Sequence, residues 1–265
     1  MTMALDSNKT KIARRVIEVF EFFASEQRRA TVMDIVRRYD RPQSSTSELL
    51  GALVEMGLLY KDPQSRSYAP TPRLAAFGMA SQPEPIASGR LFAYMDRLAQ
   101  TSRSGVGLFG MVGTHAQVFR WAHGADLPNG NLECGASTLL SASPAGLLLL
   151  SSLGLGPASK MLWRLNAEAE PADRFNLTEA NEAVARYGQT GGATGVSGFA
   201  PGTMMTAMLL PEGLGERRLA LGVVYPTNSA VDPDALLATL EHGVQSCLAE
   251  GGDVSAPFVR SMMAI

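Results

Sequence analysis

The chain has 265 residues, 46% of them hydrophobic and 18% charged, with 23 Lys and Arg against 25 Asp and Glu. That balance excludes a disordered polyelectrolyte and a histone-like basic protein, and the length leaves room for one large domain or two of ordinary size. No run approaches the roughly 18 uninterrupted apolar residues of a membrane span, and residues 1–15 lack an apolar stretch ahead of their charges. A cytoplasmic protein with no membrane partner is expected. Two distant cysteines, Cys134 and Cys247, allow neither a disulfide framework nor a paired-Cys metal knuckle. The charge is unevenly spread: residues 1–80 carry 12 Lys and Arg against 9 Asp and Glu, a net of +3, whereas residues 81–265 carry 11 against 16, a net of −5. A basic head on an acidic body hints at a polyanion partner for the head.

From Asn8 to Ser25, residues Ile12, Val16, Val19, Phe20 and Phe23 recur at helical spacing and predict a first helix with one buried stripe. Thr31 opens a short amphipathic helix carrying Val32, Ile35, Val36 and Tyr39, which ends at Asp40-Arg41-Pro42. Pro42 lacks an N–H that a first-turn residue does not need, so a third helix is predicted from there. Its stripe is Thr46, Leu49, Leu50, Leu53 and Val54, and Gly57 follows as a left-handed stop. Leu58 to Pro70 then forms two short alternating stretches around Asp62-Pro63-Gln64-Ser65, a small hairpin. Three helices and a hairpin in this order predict a winged helix-turn-helix over residues 1–80; a three-helix subdomain without a ligand is the plainer alternative.

The third helix opens Gln43-Ser44-Ser45-Thr46-Ser47-Glu48. Serine and threonine are mediocre helix formers, so a first turn filled with them suggests work for their hydroxyls beyond capping, although redundant capping competes as an explanation. Short polar side chains on a recognition helix fit the major groove, where the helix dipole also favours the polyanion. Gln43, Ser44, Ser45, Ser47 and Glu48 are therefore candidate contacts to double-stranded operator DNA, with Arg41, Lys61 and Arg66 on its phosphate backbone.

The run Arg41-Pro-Gln-Ser-Ser-Thr-Ser-Glu-Leu-Leu-Gly-Ala-Leu-Val-Glu-Met-Gly57, the hairpin to Tyr68 and Pro72-Arg-Leu-Ala-Ala-Phe-Gly78 resemble the DNA-binding domain of IclR-type bacterial transcriptional regulators. The Pro-x-Ser-Ser opening, the Gly57 ending and the Asp62 wing carry most of that resemblance. Members of the family commonly have basic or His residues where this chain has Gln43, Ser47 and Glu48, so the operator sequence does not transfer.

Residues 81–103 read as a Pro-rich linker followed by a connecting helix over 88–103 with Leu91, Tyr94, Met95 and Leu98 on one stripe. Gly105–Met111 and Ala116–Trp121 read as a hairpin, Pro144–Ser152 as a short helix buried on most sides, and 178–187 as a surface helix. Thr203–Leu210 and Arg218–Tyr225 read as strands, and Asp232–Glu250 as a closing helix, leaving 251–265 as a tail. Helices mixed with strands in this order predict an α+β domain over 104–250. The glycine-rich stretch 188–202 lacks the Gly-Lys-Ser/Thr ending of a phosphate loop and reads as a flexible loop.

The IclR resemblance implies a GAF-like effector-binding domain here. By position it implies Ser141, Ser143 and the helix start at Pro144, together with Met204, Met205, Thr206, Gly222 and Val224, as effector-binding residues, with Phe109 and Trp121 on strands that approach the same sheet. Where many members have a Cys the chain has Met204, and where serines are common it has Gly222 and Val224. A weakly polar or aromatic effector is expected. An even alternative for Met204 and Met205 is plain strand alternation, one in the core and one out.

His115, His123 and His242 have no partners at metal spacing, so neither a metal nor a cofactor is expected. Cys134 has no His–Asp arrangement near it and reads as a small buried hydrophobe; no enzyme reading stands out. The expectation is an effector-controlled, sequence-specific DNA-binding regulator. It is expected to be a homodimer or dimer of dimers, associating through the first helix, with Ile17 and Phe22 off the buried stripe, and the 88–103 helix. An orphan or architectural DNA-binding dimer with no effector response is the alternative.

Overall fold

The computed structural model describes residues 8–25, 28–127, 132–214 and 217–249, and the chain divides into two compact units, Met1–Ser81 and Gln82–Ile265. The expected tail, 251–265, lies outside the described residues.

Unit 1 contains α1 (Asn8–Ser25), α2 (Val32–Tyr39), α3 (Gln43–Glu55), the antiparallel strands β1 (Leu59–Lys61) and β2 (Tyr68–Pro70), and α4 (Arg73–Ser81). α2 starts because the Asp34 carboxylate accepts from both the N–H and the hydroxyl of Thr31 at 2.8 Å, which holds the Asp34 carboxyl below its usual range. Asp40, left-handed at φ 49°, stops α2, and α3 runs until Gly57, left-handed at φ 71°, turns the chain into β1. Ala30 and Tyr68 exchange backbone hydrogen bonds at 3.1 and 2.7 Å, so the α1–α2 connection extends the hairpin edge.

The core of unit 1 gathers Val19, Phe22 and Phe23 of α1, Ile35 of α2, Leu50 and Leu53 of α3, and Leu59 and Tyr68 of the hairpin. This corrects the expected α1 stripe in two places. Ile12 is exposed, and Phe22, expected to lie outside, is buried with its ring edge-on to Phe23 at 6.0 Å. The reason is geometric: the second half of α1 meets the other elements, so the buried set is the i, i+3, i+4 triplet 19, 22, 23.

Unit 2 is built on one antiparallel sheet of six strands in the order β5–β4–β3–β8–β7–β6, comprising β3 (Gly105–Val112), β4 (His115–Ala122), β5 (Ser137–Leu139), β6 (Gly192–Val196), β7 (Thr203–Leu209) and β8 (Leu219–Pro226). Helices α5 (Glu84–Ala87), α6 (Arg90–Ser102), α7 (Pro144–Ser151), α8 (Leu155–Glu168), α9 (Leu177–Thr190) and α10 (Pro233–Leu248) complete it. α6 and α10 pack on one face with Leu108, Val223 and Tyr225; α7, α8 and α9 pack on the other with Phe109, Met205 and Val224. This is the expected α+β class with helices on both faces.

Several elements differ from the sequence expectation. α4, α5, β5 and α8 were not foreseen. The stretch read as a glycine-rich loop contains β6, an edge strand paired with β7 from Gly192↔Met208 to Val196↔Met204. Glycine is a poor strand former, but an edge ladder supplied by a well-formed neighbour holds it.

Candidate nucleic-acid interface and ligand face

At the start of α3 the structure separates the candidate residues by direction. Gln43, Ser44, Ser47 and Glu48 are exposed, and positions 44, 47, 48 and 51 form one helix face, with Gly51 having nothing within 4 Å of a would-be Cβ. That face has low relief. Ser45 turns partly inward: its hydroxyl donates to the Pro42 carbonyl at 3.3 Å and accepts from the Arg15 guanidinium at 3.1 Å. Thr46 is buried and closes the same turn onto Pro42 at 2.9 Å. Arg15 and Ser45 together brace the first turn, a role that sequence periodicity did not disclose because the two are thirty residues apart.

Arg41 lies beside this face but is bound by Glu18 of α1 at 2.6 and 3.3 Å, and that hydrogen bond raises its already high pKa further. The hairpin turn is set by Asp62, whose carboxylate accepts from the N–H groups of Gln64 and Ser65 at 2.9 and 3.4 Å; these bonds lower its pKa. Arg66 is left-handed at φ 54° and exposed at the tip; Lys61 is exposed on β1 with its ammonium 5.7 Å from the centre of the Tyr68 ring.

In unit 2 the sheet decides which candidates share a space. Met205 and Val224 are fully buried on the α7 face with Phe109 and Trp121. Met204 and Thr206 belong to the opposite face, because successive strand residues alternate. Met204 packs in the α6 and α10 cluster, and the Thr206 hydroxyl pairs with Tyr225 Oη at 2.9 Å and with Thr194 Oγ1 at 3.0 Å. Those two residues therefore cannot line one cavity with Met205. Ser143 is buried and caps α7 by accepting from the Gly146 N–H at 3.0 Å, while Ser141 is half-buried in the preceding turn.

Trp121 reaches the α7 face through a β-bulge. The register between β3 and β4 runs Leu108↔Arg120 and then Phe109↔Val118, so β4 carries one extra residue at Phe119. The bulge resets the alternation, and Val118 and Trp121 both point to α7. Beneath them, Gly105 and Gly107 of β3 leave out side chains: a Cβ at Gly105 would overlap the Trp121 ring, and one at Gly107 would overlap the Phe109 ring. Gly222 of β8 does the same beside Phe109 and the Met205 sulfur, at 3.1 and 3.4 Å. Phe199 adds a third ring, 5.1 Å from Phe109. The Gly-x-Gly of β3 was the one sequence signal for this floor.

Among the described residues no group of three or more His, Cys, Asp or Glu could hold a metal ion, and no helix is long and apolar enough to cross a membrane. Cys134, expected to be buried, is exposed.

Residues 13–63 match the family model of the IclR helix-turn-helix domain. The head is an IclR-type helix-turn-helix. No curated protein matches the chain. Among solved structures, an IclR homolog from Microbacterium hydrocarbonoxydans, complexed with 4-hydroxybenzoate, is similar at 20% identity and a TM-score of 0.60 over 89% of this chain and 98% of its own. An IclR transcriptional regulator from Alicyclobacillus acidocaldarius has 17% identity and a TM-score of 0.57 over 91% and 96%, and IclR from Thermotoga maritima has 14% and 0.55 over 88% and 94%. The chain therefore joins an IclR-type DNA-binding head to the α+β body that such structures share. The chain thus has the fold of these IclR structures, and the winged helix-turn-helix expected in the head, residues 1–80, is the fold observed in unit 1.

Proposed function

We propose that this IclR-type chain is a sequence-specific DNA-binding regulator controlled by a small, weakly polar or aromatic metabolite held in unit 2. The observation that carries the DNA half is the exposed, low-relief face of α3 built from Gln43, Ser44, Ser47 and Glu48, with the exposed Lys61 and Arg66 of the wing as cations for the phosphate backbone. Small polar groups on a helix N-terminal turn can approach base edges closely, and the wing cations add sequence-independent attraction to phosphates. Ser45 braces the turn and Arg41 is held by Glu18, so both act chiefly by positioning α3.

The effector half is supported by the apolar α7 face with Phe109, Trp121, Met205 and Val224, and by the start of α7 with Ser141 and Ser143, where backbone N–H groups favour one anionic group. The Microbacterium hydrocarbonoxydans homolog, in complex with an aromatic acid, agrees in ligand class. A single winged head offers about 600–1,000 Å² of contact, so a homodimer is part of the proposal. Its association surface includes the exposed Ile12 and Ile17 of α1, but not the buried Phe22. The apolar stripe of α6 serves the core of unit 2, which leaves only its outer side for a partner.

Duplexes enriched by the protein from a random-sequence pool should bind tightly, with an affinity that an aromatic monoacid changes several-fold. Failure to enrich any sequence would overturn the DNA half. Enrichment with no response to any of a panel of small acids would favour the orphan reading.

A further inference from the structure

We propose that the indole N–H of Trp121 is the orienting donor of the effector site, and that the effector is a planar aromatic ring whose buried end bears an uncharged oxygen acceptor. The inference rests on the reading of unit 2 as an effector domain and names the chemistry of its deepest contact.

Trp121 is only 2% exposed, yet its Nε1 has no hydrogen-bond partner among the described residues. A buried donor left unpaired forfeits its full desolvation without return, and such groups are rare enough in folded proteins to need a reason. Tryptophan is an expensive choice here, since phenylalanine would fill the same apolar face without that loss. Three features show that the placement is built. The bulge at Phe119 turns the ring onto the α7 face, Gly105 leaves out a side chain that would overlap the ring, and Gly107 leaves out one that would meet both this ring and that of Phe109. Bulges that re-aim a side chain are over-represented beside functional sites.

The surroundings then specify the ligand. Aromatic walls and the soft Met205 sulfur select a flat ring. Its side-chain neighbours on the α7 face are apolar, and the Arg120 guanidinium, which donates to the Trp121 carbonyl at 3.0 Å, is committed to the Asp96 carboxylate at 2.9 and 3.1 Å, so a carboxylate at this depth would be poorly compensated. A ketone, aldehyde or phenol oxygen satisfies the N–H without that burden. Leu127 lies against Gly105 next to Trp121 and follows Asp126, which pairs with Arg103 at 2.6 and 2.7 Å.

The test uses the full-length protein and a matched pair of probes, 4-acetylbenzoate and 4-ethylbenzoate, which share ring and carboxylate but differ in the acceptor. Calorimetric titration should show 4-acetylbenzoate binding about tenfold more tightly. The difference should collapse to within about twofold in Trp121→Phe, which removes the N–H and keeps an aromatic ring on the apolar face. Because that variant alters the core, a second readout leaves Trp121 intact. The chain has two tryptophans, and Trp163 is exposed on α8, so Trp163→Phe with labelled indole nitrogen gives a single N–H resonance. It should move on adding 4-acetylbenzoate and stay nearly fixed with 4-ethylbenzoate. Equal binding of both probes, with a silent indole resonance, would overturn the inference while leaving the effector reading standing. Binding of neither probe would overturn the inference together with the aromatic-effector reading.

Discussion

Replacing Thr206 by valine separates a structural role from a ligand-binding one at the same position. Thr206 is 1% exposed, and its hydroxyl joins Tyr225 Oη and Thr194 Oγ1 at 2.9 and 3.0 Å on the face of the sheet turned towards α6 and α10. Valine keeps the shape but removes the bridge. Thr194, half-exposed, can turn to water, whereas Tyr225, buried, loses this partner. Leaving one buried hydroxyl unpaired costs about 1–2 kcal/mol, which in a unit of this size lowers the melting temperature by about 2–8 °C. Calorimetric unfolding of the full chain reads the first effect, and titration with 4-acetylbenzoate reads the second. The expected result is lower stability with ligand affinity unchanged. Unchanged stability with a lost ligand response would place Thr206 on the ligand face and refute the assignment of faces.

Arg66→Ala should reduce the slope of log affinity against log salt by about one for operator DNA, since it removes one phosphate cation; anisotropy titrations at several salt concentrations test this. Gly51→Ala should stabilise α3 by about 0.5–1 kcal/mol, because the added methyl meets nothing within 4 Å. Gly146→Ala in α7 should do the opposite, by about 1–3 kcal/mol, because its Cβ would press into the Leu140 carbonyl; urea unfolding distinguishes the signs. Asp34→Ala should cost the head about 1 kcal/mol through the lost helix-start contact. The folded pKa of Asp34 is lowered, so this contribution is full above the unfolded value of about 3.9 and fades as the pH falls through the folded value. The wild type and the variant should therefore differ near neutral pH and converge in acid.

The head was legible because its signals are local. Pro42, Gly57 and Asp62 each act on their own backbone, and the stripes of α2 and α3 repeat within a few turns. What depended on distant partners was not legible. Ser45 looks like its serine neighbours until Arg15 arrives from α1, and Phe22 looks peripheral until the second half of α1 is seen to carry the contacts. In the body, alternation shows that Met204 and Met205 part company, but the sequence holds no sign of which one faces α7. The bulge at Phe119 compounds this, since one added residue reverses every facing after it. β6 was hidden for a different reason, its strand character being lent by β7 through main-chain bonds that leave no trace in its glycines.

β3 is bonded along both edges, to β4 and to β8, and it sends Phe109 to the aromatic side and Leu108 to the side where α6 lies. The wall between the aromatic side, where the proposed ligand would rest against Phe109, and α6 is thus a single backbone thick. With ladders on both flanks, that wall resists sliding and bends only together with its neighbours. A ring displaced on one side would have to be accommodated by the residue next to it in sequence, so a ligand in the aromatic compartment would press on α6 across one peptide bond.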